Sequence, residues 1–381
     1  MIKVEEAQDR PKQERRRLSL PVKSFLVTLA ALWLVGVISL WVAPVHHPHW
    51  VPPAAGVLAA FARLDSSWYY RIAAMGYWRW IGFAFFPLYP LLMRGLTDLS
   101  GLPLVPAGLL IGWVADLAAL VLLARLWLEE AGPRTMRRAL WLLLAFPTAF
   151  FLVAMYSESL YLLLSVATFL LARRGRFAWA AVMIGLAGLT RANGILLLLP
   201  YLAFAWDASR RRIDRAFLRR AALGLIGLAG LGIYVLYSWR LTGNPLQFLA
   251  AQQAWYRHFT GGSFSLAYAL IHLGYGQGLQ TGILDFLAPL VFLAALAFDR
   301  GSLSLGDKLY VLFGVLSALV YPSIPDGSVL MSAARLVMPY FPVYRVAAER
   351  LTERQWRWTV GVMAIAQIGL FVGFAHWAFV G

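Results

Sequence analysis

The stretch Ser24–Ala43, SFLVTLAALWLVGVISLWVA, carries no charged residue in 20 positions, and its reading decides the fold class. A helix of that length and composition crosses the roughly 30 Å hydrocarbon core of a bilayer. Further apolar runs follow near 104–125, 139–154, 158–172, 178–191, 193–206, 222–239, 284–298, 309–321, 336–347 and 358–378. The 381 residues are 61% hydrophobic and 14% charged, with a mean hydropathy of +0.68. A soluble domain carries roughly 25% charged residues, so this composition excludes one. Backbone groups in lipid must be satisfied within the chain, which leaves helices or a closed barrel, and runs this long are helical. The expected fold is an all-α polytopic membrane protein with about 11 transmembrane helices.

The net charge of +16 at first suggests a nucleic-acid partner. The positions of the basic residues remove that reading. If residues 1–23 are cytoplasmic, 26 of the 34 Lys and Arg fall in the N-terminus and in the segments 125–138, 173–176, 207–220, 300–308 and 345–357. That is the positive-inside pattern, spread over short loops with no continuous basic stripe. Residues 1–23 then form a basic cytoplasmic N-terminus and 24–381 a single integral membrane domain, with large outer loops at 45–103 and 240–283. Cleavage after Ala43 is not expected, because the polar lead-in is long and Trp41 stands where a small residue belongs. The absence of cysteine excludes disulfides, thiolate metal sites and thiol nucleophiles.

The outer loops carry length, histidine and isolated carboxylates, so any chemistry belongs there. From Val51 the chain reads VPPAAGVLAAFARLDSSWYYRIAAMGYWRWIGFAFFPLYPLLMRGL. Residues 57–77 mix apolar and polar residues at helical spacing, as an amphipathic helix in the interface plane does. Pro87 and Pro90 argue against a straight span over 83–95, which reads as re-entrant or interfacial. Asp65 resists the purely structural reading, since a carboxylate near membrane depth must be solvated, paired or used. Its ordinary partner would be Arg63 or Arg71.

Residues 63–90, RLDSSWYYRIAAMGY…AFFPLYP, resemble the signature of the GPI mannosyltransferase II (PIG-V) family of membrane glycosyltransferases. The stretches GLTRANGI (188–195), TGNPLQFLAAQQAW (242–255) and, more weakly, SAARLVMPYFPVY (332–344) fit its prokaryotic members in the same order. Leu64 stands where many relatives carry an aromatic residue, which leaves Asp65 in register. The resemblance implies a GT-C bundle, a catalytic Asp in the first outer loop and a polyprenyl-phosphate sugar donor. It also implies transfer of mannose with inversion and without a metal. The acceptor, a lipid or a glycan, is left open, and a prokaryotic cytoplasmic membrane is the expected location.

The residues permit that chemistry. A carboxylate takes the proton of the attacking hydroxyl while cations stabilise the departing phosphate, so one acid suffices. Asp65 is the candidate base. Arg191 sits where Asn193 and Gly194 break an apolar run, and its planar fork suits a phosphate. Its alternative is an ion pair with Glu158 or Asp116. Arg335 and, more weakly, Arg257 are the other phosphate candidates, Arg335 having a snorkelling helix end as its plainer reading. Gln253, Trp255 and His258, with Gln252 beside them, offer amides and ring faces suited to a sugar. Arg63, Tyr69, Tyr70 and Asn193 complete the substrate-contact candidates.

Other features invite misreading. His46, His47 and His49 lack nearby acidic ligands, and no Asp-x-Asp element exists, so neither a metal site nor any cofactor is expected. Gly274–Tyr275–Gly276 lacks the residues that precede it in a potassium filter. Gly224, Gly227 and Gly230 read as close helix packing. Glu158, Asp326 and His258 are reserve bases. A secondary transporter or lipid flippase is the alternative function, since such proteins also break helices around isolated Arg and Asp. It is disfavoured because the chain shows no two-fold internal pattern.

Overall fold

Charge-poor chain in lipid closes its own hydrogen bonds as helix, and the computed structural model is helical throughout. It describes residues 2–43, 56–259, 262–272, 279–323 and 329–380, those at 2–18, 262–263 and 279–281 by backbone alone. The expectations resting on His46, His47, His49, Gly274–Gly276 and Asp326 lie outside the described residues. In chain order the helices are α1 Ile2–Val42, α2 Ser66–Met75, α3 Leu88–Ser100, α4 Leu104–Leu144, α5 Glu158–Arg173 and α6 Phe177–Gly188. They continue with α7 Leu198–Ala208, α8 Arg215–Leu223, α9 Leu225–Thr242, α10 Gln247–Ala250, α11 Gly262–Ile271 and α12 Leu279–Ala297. The last are α13 Leu305–Leu319, α14 Ala333–Val337, α15 Pro342–Arg350 and α16 Glu353–Ala375. Among the described residues no strand forms; a lone antiparallel bridge joins Arg257 to Ser323.

Four helical stretches are long and apolar enough to cross a membrane: Ser19–Val42, Leu104–Leu144, Arg215–Thr242 and Glu353–Ala375. Shorter apolar helices cover Phe177–Gly188, Ala192–Ala208 and Gly282–Ala297. Two expected spans are broken. The segment 139–154 leaves helix at Leu144 and passes through a 3-10 turn at Ala149–Leu152. The segment 336–347 divides between α14 and α15, because Pro339 and Pro342 each lack an amide hydrogen for a continuous ladder.

The core gathers around α5, which packs against α4 and α6. Helix α4 turns at Gly132, whose φ of 79° lies in the left-handed region, and Pro133 starts the second half. Gln367 of α16 donates to the carbonyl of Leu144 (2.9 Å), at the end of α4, and to that of Phe146 (3.1 Å) in the turn that follows. Helix α6 meets α9 through the expected glycines. A Cβ added to Gly230 would lie 1.8 Å from the Gly185 carbonyl oxygen. At the Arg173 end of α5 an ion cluster ties four helices together. Arg173 pairs with Glu130 and with Asp307 (2.8 Å), and Arg345 pairs with Glu130 (2.6 Å) and Glu349 (3.1 Å).

The segment 57–77 is not one interfacial helix. It is a 3-10 turn at Gly56–Phe61, a bend, and then α2. Phe61 and Ala60 are fully buried, so core packing rather than the interface claims the first half. The 83–95 region contains a 3-10 turn ending at Ala84 and then α3, with Pro87 and Pro90 at its start, where missing amide hydrogens cost little.

Candidate active site

The bend before α2 positions Asp65. Leu64 has a φ of 52°, a left-handed conformation that a branched residue keeps only when its surroundings hold it. They do so at three points. The Asp65 amide donates to the Tyr156 hydroxyl (3.1 Å), and that hydroxyl donates to the Arg63 carbonyl (3.2 Å). The Met155 amide donates to the Phe61 carbonyl (2.8 Å). The Arg63 Nε donates to the carbonyl of Ala375 (3.0 Å), and its guanidinium lies 5.0 Å from the Trp377 ring. Burial pushes the Arg63 guanidinium down to about 10. Arg63 thus pins the bend to the end of α16.

The cation beside Asp65 is Arg335, 3.0 Å from Oδ2, rather than Arg63 or Arg71. Arg335 stands on the short helix α14, which starts from Ser332 at a φ of 66°. Asp285 of α12 sets that start by accepting from the amides of Ser332 (3.1 Å) and Ala334 (2.8 Å). Two rings flank the Arg335 guanidinium, Phe151 at 5.1 Å and Tyr156 at 5.5 Å. Glu158, the first residue of α5, is 2% exposed and faces Arg191 (2.8 Å) and Arg335 (3.5 Å). A helix start favours a carboxylate, so this acid is held by dipole and cations together.

Arg191 lies at the expected break, in extended conformation between α6 and the 3-10 turn Ala192–Leu197. Gly194 there packs against the end of α6, where a Cβ would come within 2.2 Å of the Ala187 carbonyl carbon. Asn193 donates to Ser317 (3.1 Å) and Tyr340 (3.3 Å). The Arg257 guanidinium donates to the Met331 carbonyl (2.7 Å), and burial pushes it down to about 10.

These groups share a cavity of about 250 Å³, whose lining includes Asp65, Glu158, Arg191, Asn193, Arg257 and Arg335, with Tyr69, Gln252 and Trp255. A second cavity of about 880 Å³ adjoins it, lined by Trp68, Arg71, Trp78 and Arg79 among others. Asp65, Trp255, Met331 and Phe379 belong to both walls. Chemically this is a carboxylate between two chambers, with three guanidinium groups on one side of it. Such an array accepts a phosphate and can take a proton from a hydroxyl.

Four sequence candidates stand elsewhere. Arg63 anchors the bend and lines neither cavity. Tyr70 is half-buried against the apolar core. Gln253 points out to the exterior, and its neighbour Gln252 takes the lining position instead. His258 is exposed, its amide donating to the Pro322 carbonyl (3.1 Å). Tyr69 is buried rather than at an interface, its hydroxyl 2.9 Å from that of Ser157. Sequence reasoning missed the positioning roles of Tyr156 and Asp285; an isolated acid in the apolar run of α12 was the available signal for Asp285.

Comparison with known proteins agrees with the resemblance read from the motifs. The family model described as Mannosyltransferase (PIG-V) matches residues 51–206, which include Asp65, Glu158, Arg191 and Asn193. No curated protein matches the chain. Among solved structures, ArnT from Cupriavidus metallidurans bound to undecaprenyl phosphate matches with a TM-score of 0.52 and 17% identity, over 91% of this chain and 64% of that one. The apo state of the same protein matches with a TM-score of 0.51 and 19% identity, over the same shares. The Archaeoglobus fulgidus oligosaccharyltransferase gives 0.42 and 12%, over 93% and 53%. The chain spans 64% of the length of the ArnT chains it matches. What is shared at these identities is the fold: this is a multi-pass membrane protein with the GT-C architecture.

Proposed function

We propose that this GT-C chain, patterned over residues 51–206 as a PIG-V mannosyltransferase, is a membrane glycosyltransferase that uses a polyprenyl-phosphate-linked sugar. The sugar is mannose, passed with inversion to a hydroxyl of a lipid or glycan acceptor. The observation that carries the reading is the station of Asp65 in the wall between two cavities, 3.0 Å from Arg335. The undecaprenyl phosphate held by ArnT supports a polyprenyl phosphate as the carrier.

In this mechanism the donor phosphate lies in the smaller cavity against Arg335, Arg191 and Arg257, and the acceptor reaches Asp65 from the larger one. The Asp65 carboxylate takes the acceptor proton as the hydroxyl oxygen bonds to the anomeric carbon. The bond from that carbon to the phosphate oxygen breaks, and its electron pair leaves with the phosphate. The guanidinium groups are already in place where that charge collects, which is electrostatic preorganisation. They fill the charge-neutralising part that a metal takes elsewhere, so the reaction is proposed to run without one. Gln252, Asn193 and Trp255 offer donors, acceptors and a ring face to the sugar.

Sidedness follows from charge. The Arg173 end of α5 lies among the basic segments, so it is read as cytoplasmic with the N-terminus, and the Glu158 end as the outer face. A prokaryotic cytoplasmic membrane fits this arrangement. Incubating the purified chain with polyprenyl-phosphate mannose and candidate acceptors tests the reading. Release of polyprenyl phosphate together with a mannosylated product is expected. Substrate movement across sealed vesicles without any release would overturn it in favour of transport.

A further inference from the structure

A separate pocket of about 460 Å³ opens where the turn before α6 meets α8, and nothing in the proposed reaction uses it. It lies beyond the Arg173 end of α5, opposite the Glu158 end that lines the reaction cavity. Arg176 contributes from the turn, and Arg219 and Arg220 from α8. Among the described residues no acidic side chain lines it. The two acids of the 207–220 segment are engaged elsewhere: Asp207 pairs with Arg211 (3.1 Å), and Asp214 accepts from the Phe217 amide (2.7 Å) to cap α8. Among the described residues neither Arg176 nor Arg219 makes an ion pair, and both are exposed. Arg220 is oriented rather than loose, donating to the Ser209 hydroxyl (2.6 Å) with its guanidinium 5.4 Å from the Phe177 ring.

The surroundings are those of a lipid headgroup region. Trp179, in the pocket wall, is 63% exposed, and Leu223 of α8, half-buried, lines the same wall. Leu218 and Leu225 (64% exposed), seven residues apart, form an apolar stripe on the face of α8 and α9 that turns away from the pocket. An exposed indole beside clustered arginines, at the end of apolar helices, matches the depth where rings and phosphates lie together. Soluble anions have no use for the apolar border. We propose that this pocket holds the phosphate of an anionic membrane lipid, with the acyl chains against α8 and α9. The proposal is independent of the glycosyl-transfer reading.

The test is native mass spectrometry of the full chain, delipidated in neutral detergent and titrated with phosphatidylglycerol, phosphatidylcholine or inorganic phosphate. Wild type should bind phosphatidylglycerol in preference to phosphatidylcholine. Arg176→Gln with Arg219→Gln should weaken phosphatidylglycerol binding by roughly tenfold or more, given the usual attraction of each basic residue to anionic lipid, and leave phosphatidylcholine unchanged. Both side chains are exposed, and retained helical circular dichroism shows that the variant folds. Equal binding of the two lipids by wild type, or an unchanged preference in the double variant, overturns the proposal. Tight binding of inorganic phosphate that displaces the lipid overturns it too, by making the pocket a soluble-anion site.

Discussion

Arg335 Nη1 lies 3.0 Å from Asp65 Oδ2, although 270 residues separate the two in the chain. The same guanidinium is 3.5 Å from Glu158. One cation therefore faces two acids, and a phosphate entering the cavity must compete with both for it. The proposed base and the proposed phosphate ligand are coupled before any substrate arrives.

Asp65→Asn keeps the shape of the side chain and an oxygen for Arg335 but removes the proposed base. Turnover in the polyprenyl-phosphate mannose assay should fall by roughly 10²-fold or more. Adding Arg335→Gln should not restore it. Recovery in the double variant would mean that Asp65 only neutralises Arg335.

Arg335→Lys keeps the charge and loses the planar fork that reaches two acids. The KM for the donor should rise by roughly tenfold, as for loss of a charge-assisted hydrogen bond of about 1.5 kcal/mol or more. Donor titrations under acceptor saturation measure this. An unchanged KM would take Arg335 out of phosphate contact.

Arg191→Ala strips the nearer cation from Glu158, which is 2% exposed. Breaking one side of a buried pair costs about 3–5 kcal/mol, so the thermal midpoint in detergent should drop clearly. Glu158→Gln in the same chain should recover much of that stability. Donor affinity of the recovered double variant then reports whether Arg191 also serves the phosphate: wild-type affinity would make it helix glue alone.

Gly230→Ala places a methyl group 1.8 Å from the Gly185 carbonyl and must part α9 from α6. Overpacking of this kind costs about 1–3 kcal/mol. Gly232→Ala meets nothing within 4 Å and serves as the control, with no loss beyond noise. Thermal unfolding of the two variants should separate them cleanly.

Sidedness is open to labelling, because the chain has no cysteine of its own. Leu99, 89% exposed, and Arg212, also exposed, are suitable positions for single Cys substitutions. A membrane-impermeant reagent should reach them from opposite sides. Labelling of both from one side would overturn the charge-based topology, and labelling of the Arg212 position alone from outside would reverse its orientation.

Much of this architecture was legible in the sequence, and the rest was hidden for identifiable reasons. Apolar length gave the helical membrane class, and Asn193–Gly194 marked the break that exposes Arg191. The glycine spacing in α9 marked a close helix contact, and the structure shows its partner to be α6. The partner of Asp65 was not legible, since Arg63 and Arg71 are close in sequence while Arg335 arrives only through the tertiary fold. Arg63 is instead drawn to an unpaired carbonyl at the end of α16. Gln252 and Gln253 were indistinguishable until the turn Ala251–Trp255 set which of them points inward. In a 3-10 turn one residue rotates the side chain by a third of a circle. Hydropathy reads the 336–347 run as one span, but its prolines divide it between two short helices.

Helix α5 carries an ion cluster at each end, Glu158 with two arginines at one and Arg173 with two acids at the other. Its 16 residues measure about 24 Å, shorter than the roughly 30 Å of hydrocarbon in a typical bilayer. The helix works as a tie-rod fastened at both ends, and sliding by one turn would unseat both clusters together. The backbone alone therefore does not carry both charged ends to the headgroup planes of an undistorted bilayer, and side-chain reach or local thinning of the lipid makes up the difference. The proposed reaction cavity, set at the end of so short a helix, suits a sugar that travels on a lipid tail, whose phosphate is drawn down to meet it.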